Sequence, residues 1–163
     1  AVTGQNIASA FHGPQFFDPY RICHRLDAML RPIPFVDERW VIIQNGQSDV
    51  LGSDISQRRY QIALQNLTQY FLDRGCNVAL GLSCYALPQP TDSWDRLSAA
   101  RQAALAGYGS DPRVQPGANL YQDLGTDIAA YLQADQVHLN GAGAVAAGQA
   151  WAQAFRAIYG DRA

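Results

Sequence analysis

The sequence contains no lysine, and charged residues make up only 16% of the chain. Soluble domains average about 25% charged residues, so we expect a large core and a weakly charged surface. The twelve basic residues are arginines scattered along the chain, and the net charge is −2. Nucleic-acid-binding proteins concentrate positive charge on one face, and the sequence has no such run. Nucleic acid is therefore not an expected partner.

Long apolar runs are also missing. The longest, WVIIQ and NVALGL, are far shorter than the roughly 20 residues that a helix needs to cross a bilayer, so we expect no membrane span. A chain of 163 residues has the length of one domain, and 48% of its residues are apolar, which is enough for a core. We therefore treat residues 1–163 as a single domain.

Cysteine is scarce, with only Cys23, Cys76 and Cys84. If residues 76–84 form a strand, the cysteines at its ends stand roughly 25 Å apart at ~3.3 Å per residue, beyond disulfide reach. The cysteine spacing fits no zinc template, and no two histidines are four residues apart, the spacing that places two ligands on one helix face. We expect buried thiols and no metal site.

Apolar segments alternate with amphipathic ones along the chain. Strands are predicted at 39–44, 77–83 and 118–125, and helices at 19–30, 57–75, 94–109, 126–133 and 142–160. In the last helix the packing ridge is predicted to be Val145, Trp151, Phe155 and Ile158. Continuously apolar strands that alternate with helices are typical of an α/β fold, in which helices cover both faces of a parallel sheet.

Ligands of such sheets bind at the carboxyl ends of the strands. The segments NGQSD, SCYALP and DQVHLN follow predicted strands or lie near that edge. Tyr85 and Trp94 are candidates for the rim of a substrate site there. His12 lies in a loop that could border the same cleft, whereas His24 lies in the first predicted helix and has no predicted catalytic role.

The segment DQVHLN places Asp135 three residues before His138. Side-chain catalysis of ester hydrolysis needs a nucleophile, a base, an acidic residue that orients the base, and oxyanion donors. On a turn, a carboxylate at this spacing can fold back onto imidazole Nδ1 and leave Nε2 facing outward. The same pattern also occurs as a turn cap beside a surface histidine, so the pair alone does not decide the function.

Three blocks occur in a characteristic order: VTGQN, VIIQNGQSD and DQVHLNGAG. Together they resemble the SGNH or GDSL hydrolase family, whose final block reads Asp-x-x-His, often followed by Leu and Asn. The resemblance implies a three-layer α/β/α sandwich of flavodoxin-like character. It also implies a serine esterase that needs no metal or organic cofactor and acts on a small ester or an acylated carbohydrate.

The resemblance assigns His138 as the general base and Asp135 as the residue that orients it. Gly4, in TGQN, would donate its backbone N–H to the oxyanion, and Gly46 and Asn140 would contribute to oxyanion or substrate binding. Ser48 stands where the family's Gly-x-Asn-Asp block has the asparagine that donates to the oxyanion. Losing one such donor costs on the order of 10²–10³ in rate, although a hydroxyl can also donate.

A second departure concerns the nucleophile, because no Gly-Asp-Ser block precedes VTGQN. We expect the chain to lack the family's first βα unit, so that the serine comes from a missing N-terminal segment or a companion polypeptide. The alternative nucleophile is Ser48, since the sialate O-acetylesterase-like branch uses a similar Gly-Gln-Ser-Asn turn. A third reading is a non-catalytic interaction module on the same scaffold.

Overall fold

A parallel sheet between helices forms the centre of the computed structural model of the protein, which describes residues 28, 38–52, 56–85, 91–125 and 127–160. The described strands are β1 (Trp40–Asn45), β2 (Asn77–Leu82) and β3 (Val114–Asn119), paired in the order β1-β2-β3. The described helices are α1 (Gln47–Gly52), α2 (Gln57–Leu72), α3 (Thr91–Tyr108), α4 (Leu120–Leu124) and α5 (Gly141–Tyr159), with a 3-10 turn at Ala129–Tyr131. The predicted α/β class with a parallel sheet is confirmed.

The central strand β2 is buried on both faces, which explains why its sequence is apolar throughout. On one face, the side chains of Leu82 and of Leu97 from α3 both pack against Gly46, so that a Cβ added at Gly46 would meet both of them. Leu82 and Leu97 therefore lie close together. On the other face the indole of Trp151, from α5, covers Gly81. Helices α2 and α3 therefore form one outer layer and α5 lies on the opposite face, as the predicted three-layer sandwich requires.

Helix α2 begins at Gln57, where the sequence predicts, and ends at Leu72, three residues before the predicted stop at Gly75. The hydroxyl of Ser56 accepts a hydrogen bond from the backbone N–H of Arg59 at 3.3 Å and caps the first turn. Gly75, at φ +70°, provides the left-handed residue that turns the chain toward β2. The buried face of α2 consists of Tyr60, Ala63, Leu64, Leu67, Thr68, Phe71 and Leu72.

The prediction of helix α5 is also confirmed, but the prediction that Val145 belongs to its packing ridge is wrong. Val145 is 62% exposed, whereas Gly143 and Ala147 are buried. Two residues span about 200° of an α-helix, so Val145 faces away from the side on which those two small residues lie. Trp151 and Phe155 keep partly buried positions on the ridge, with their ring centroids 6.1 Å apart.

The third strand begins four residues before and ends six residues before the predicted strand at 118–125. Residues 120–124 form α4 instead, because the side chain of Asn119 accepts a hydrogen bond from the N–H of Gln122 at 3.4 Å and caps a helix. The strand itself contains Pro116 and Gly117, two residue types that are unfavourable in the interior of a strand. The pairing with β2, irregular between Leu80 and Leu82, overrides those propensities.

The helix predicted at 126–133 is reduced to the 3-10 turn at Ala129–Tyr131. Leu132 pairs with Leu139 in an isolated antiparallel bridge, so the chain leaves the helical path there. The helix predicted at 19–30 lies outside the described residues except for residue 28, and so do Gly4, His12, Cys23 and His24. No helix in the described part of the chain is long and apolar enough to cross a membrane.

Cys76 and Cys84 are both buried free thiols, as predicted. The prediction that Tyr85 and Trp94 line a substrate rim is wrong, because both side chains are buried and Trp94 has no exposed surface. The indole of Trp94 stacks on the ring of Tyr121 with their centroids 5.7 Å apart. These aromatic rings belong to the core beneath the carboxyl edge of the sheet.

Candidate active site

The Asp135–His138 segment is a tight loop between the 3-10 turn and α5. The backbone N–H of Gln133 donates to the carbonyl oxygen of His138 at 2.7 Å, and its side-chain amide donates to that of Leu139 at 2.9 Å. Gln136 takes a left-handed conformation at φ +59° and donates its N–H to the Gln133 carbonyl at 2.9 Å. These local bonds close a turn that brings residue 138 back beside residue 135.

The carboxylate of Asp135 holds His138 through both of its oxygens. Oδ2 lies 2.7 Å from Nδ1 of the imidazole, and Oδ1 accepts hydrogen bonds from the backbone N–H groups of Val137 at 2.9 Å and His138 at 3.0 Å. The carboxylate thus fixes both the backbone and the ring of His138. When Nδ1 carries the proton it donates to Asp135, the other ring nitrogen, Nε2, is left as a proton acceptor.

The imidazole is accessible from solvent, since 70% of the His138 side chain is exposed. An exposed ring with its Nδ1 oriented by a carboxylate has the geometry that a general base requires. The Asp-x-x-His spacing therefore produces the predicted pair, and its members are in direct contact.

The three hydrogen bonds to Asp135 stabilise its ionised form. The N–H and then the side chain of His138, followed by the N–H of Val137, lower the pKa of Asp135 from 3.8 to about 2. Because the folded-state pKa is lowered, the carboxylate's contribution to loop stability is present above pH 3.8 and is lost as the pH falls toward 2.

We therefore expect the Asp135 carboxyl carbon to titrate with a midpoint of about 2 when followed by ¹³C NMR as the pH is lowered. In His138→Ala the side-chain hydrogen bond is lost and the backbone ones remain. The midpoint in that variant should rise but stay below 3.8. A wild-type midpoint at or above 3.8 would contradict the hydrogen bonding described for this carboxylate.

Gly46 forms the turn that ends β1. It is buried at φ +127°, and an added Cβ would lie 2.9 Å from Leu82 Cδ1 and 3.1 Å from Leu97 Cδ2. Both the backbone conformation and the close packing therefore require glycine here. Its carbonyl oxygen accepts the N–H of Val50 at 2.9 Å, so the chain enters α1 immediately after the strand.

Gln47 connects this turn to the histidine loop. Its side-chain amide donates to the carbonyl oxygen of Val137 at 2.6 Å, across 90 residues of sequence. The second and third blocks of the sequence thus meet at the carboxyl edge of the sheet, where ligands of parallel sheets bind. Ser48, the other candidate from the second block, is the next residue of α1. Sequence analysis missed Gln47, because nothing in one glutamine at a helix start indicates a distant partner.

Buried charged residues lie behind this edge, and the sequence did not identify them either. Asp49 is completely buried in α1. Burial and then the charge of Asp49 raise the pKa of Tyr60 well above its usual value, while the charge of Arg101 opposes that rise. Arg101 is 6% exposed, although an arginine in an amphipathic helix is ordinarily assigned to the surface.

Asn140, predicted to bind the oxyanion or substrate, is engaged in holding the backbone. Its amide nitrogen donates to the carbonyl oxygens of Ala130 at 2.8 Å and Leu132 at 3.0 Å, and its side-chain oxygen accepts the N–H of Gly143 at 3.0 Å. Asn140 therefore caps α5 and ties it to the 3-10 turn. Both amide protons are used, so we do not retain it as an oxyanion donor.

Of the remaining predicted site residues, Gly4 lies outside the described residues. Within the ranges that the structure describes, no group of three or more His, Cys, Asp or Glu side chains could hold a metal ion. The site is thus built from the Asp135–His138 pair and the Gly46–Gln47 turn. Such a site can accept and return a proton.

The fold is similar to that in the crystal structure of the lipase/acylhydrolase from Enterococcus faecalis. The TM-score is 0.55 over 93% of this chain and 92% of the other chain, with 17% sequence identity. At this identity the likeness shows the fold alone, a parallel sheet flanked by helices. The chain matches no protein-family model, and it has no significant match among curated proteins.

Proposed function

We propose that the protein is a serine-type ester hydrolase of the SGNH kind, with Asp135 and His138 as its acid–base pair. The observation that carries the proposal is the 2.7 Å contact between Asp135 Oδ2 and His138 Nδ1 on an imidazole that stays open to solvent. The similarity of the fold to that of a lipase/acylhydrolase supports it.

In the proposed reaction, Nε2 of His138 takes the proton from a serine hydroxyl as its oxygen attacks the ester carbonyl carbon. Asp135 stabilises the imidazolium that forms. The tetrahedral intermediate collapses, His138 returns the proton to the leaving alcohol, and an acyl-enzyme remains. Water then attacks the acyl-enzyme with His138 again as the base, which releases the carboxylic acid and restores the serine.

The oxyanion of the intermediate needs hydrogen-bond donors. We assign this role to the backbone N–H groups of Gly4 and Gly46, with Ser48 in the position of the family's asparagine. The close packing of Gly46 against Leu82 and Leu97 supports its assignment, because a rigid donor loses little entropy when charge develops.

The nucleophile in this proposal is a serine carried by a preceding segment or a companion polypeptide. Ser48 is the alternative nucleophile, and it is favoured by the Gln47–Val137 hydrogen bond, which brings the backbone of α1 next to the histidine loop. The proposed substrates are small esters or acylated carbohydrates, and the proposed reaction uses no metal or organic cofactor.

A fluorophosphonate probe distinguishes these possibilities, because it forms a phosphorus–oxygen bond with an activated serine and releases fluoride. We expect His138-dependent labelling of the purified protein, located by peptide mass spectrometry. An adduct on a co-purifying chain or a preceding segment supports the favoured assignment. An adduct on Ser48 replaces it with the alternative nucleophile.

The control for this experiment is His138→Ala, in which labelling should fall by about 10²-fold or more because the base is absent. Labelling that is equally fast in this variant shows that the modified serine is not activated by His138. If neither this chain nor any co-purifying chain is labelled, the hydrolase proposal fails and the non-catalytic module takes its place.

A further inference from the structure

The peptide unit between Val137 and His138 is held at both ends. Its carbonyl oxygen accepts the side-chain amide of Gln47 at 2.6 Å, and its N–H donates to Asp135 Oδ1 at 3.0 Å. This peptide precedes the Cα of His138, so its orientation sets the direction in which the imidazole leaves the backbone. The other described hydrogen bonds of the turn, such as that from Gln136 to Gln133, are formed within it.

Gln47 makes its bond from a firmly packed position. It directly follows Gly46, whose surroundings at Leu82 and Leu97 leave no space for a side chain. Two residues further along the same helix, Asp49 is completely buried. The amide of Gln47 therefore holds the histidine loop in a fixed position relative to the carboxyl edge of the sheet. The loop's own residues Asp135 and His138 are exposed.

We propose that Gln47 is a positioning residue for the catalytic base: its amide fixes the Val137–His138 peptide and so aims His138 at the reacting hydroxyl. The inference rests on the proposed function for its catalytic consequence. The effect on the peptide itself is independent of catalysis, and the two can be measured separately.

The test is Gln47→Met in the full chain, which keeps the length and flexibility of the side chain and removes the donor. We expect the carbonyl carbon resonance of Val137 to move, and the backbone order parameter of His138 to fall toward the flexible range below about 0.6. With p-nitrophenyl acetate as substrate, kcat should fall by about 10²-fold and KM should stay unchanged, because a misplaced base slows only the chemical step.

A second variant, Gln47→Glu, replaces the donor with a carboxylate that repels the Val137 carbonyl oxygen. Its effects on the His138 order parameter and on kcat should exceed those of Gln47→Met. The matched control is Gln115→Met, which removes another side-chain amide bonded to a backbone carbonyl, that of Pro112 at 3.0 Å, at a site far from the loop. This control should behave as wild type.

If Gln47 acts only by packing, Gln47→Met leaves the Val137 and His138 resonances and kcat unchanged, and the proposal is overturned. The positioning of the peptide is supported if these resonances move in both Gln47 variants and not in Gln115→Met. If they move while the wild-type preparation hydrolyses no ester and neither this chain nor any co-purifying chain takes up fluorophosphonate, the proposed function fails but the structural role of Gln47 stands.

Discussion

Replacement of His138 by alanine is expected to lower kcat/KM for p-nitrophenyl acetate by about 10²–10⁴-fold, the range that general acid–base catalysis contributes. The imidazole is the only group of the described site that can take a proton from a neutral hydroxyl near neutral pH. The effect should fall on kcat, since an exposed ring contributes little to substrate binding. Steady-state kinetics with matched protein concentrations measures both parameters.

The control for this loss is His24→Ala, which removes the same side chain from a position with no predicted catalytic role. It should leave kcat/KM within a factor of about two of wild type, because it removes no group that takes part in the proposed reaction. Retention of full esterase activity in His138→Ala, with loss in His24→Ala, would refute the assignment of the base.

The same assay tests whether Asp135 acts through His138. Asp135 acts through the imidazole, so the double variant Asp135→Ala/His138→Ala should lose no more activity than His138→Ala alone. Losses that multiply in the double variant would mean that the two side chains act separately, in spite of their 2.7 Å contact.

The parts of this protein that the sequence predicts correctly are those set by local periodicity and capping. Helix α2 has an apolar face, Ser56 at its start and Gly75 after its end, and the structure places it between the same signals. The Asp135–His138 contact is equally local, because three residues and one turn bring the two side chains together. Such features need no knowledge of the rest of the fold.

The features that the sequence does not predict depend on distant partners. The strand at Val114–Asn119 contains proline and glycine, and it forms because β2 offers a pairing edge. The bond from Gln47 to Val137 spans 90 residues and follows from the tertiary fold alone. The sequence places Trp94 at the substrate rim, yet its indole stacks on Tyr121 in the core. The reason is that the sheet decides which face of α3 is covered.

Arg101 illustrates the same dependence on tertiary structure. Its Nε donates to the carbonyl oxygen of Leu80 in β2 at 2.7 Å, and its Nη2 donates to that of Gly117 in β3 at 2.6 Å. These carbonyls lie where the pairing of β2 with β3 becomes irregular. The guanidinium thus links β2 and β3 by two charge-assisted hydrogen bonds at the point where their pairing is irregular.

Arg101→Leu should therefore lower the free energy of unfolding by about 2–6 kcal/mol, since each of two buried carbonyl groups that loses a charged donor costs about 1–3 kcal/mol. Arg101→Lys should lose less, because lysine retains the charge and a donating ammonium group but lacks the planar fork that reaches both strands. Urea denaturation followed by circular dichroism gives the free energies of wild type and variants.

The matched control is Arg113→Leu, in which the arginine removed is half exposed and pairs with Asp111 at 2.8 Å on the surface. An exposed ion pair of this kind is screened by solvent and contributes little to stability, so this variant should stay close to wild type. Equal stabilities for the two leucine variants would mean that the irregular strand pair does not need the Arg101 guanidinium. The larger loss is expected at Arg101 because both of its hydrogen bonds are buried and join the helix to two different strands of the sheet.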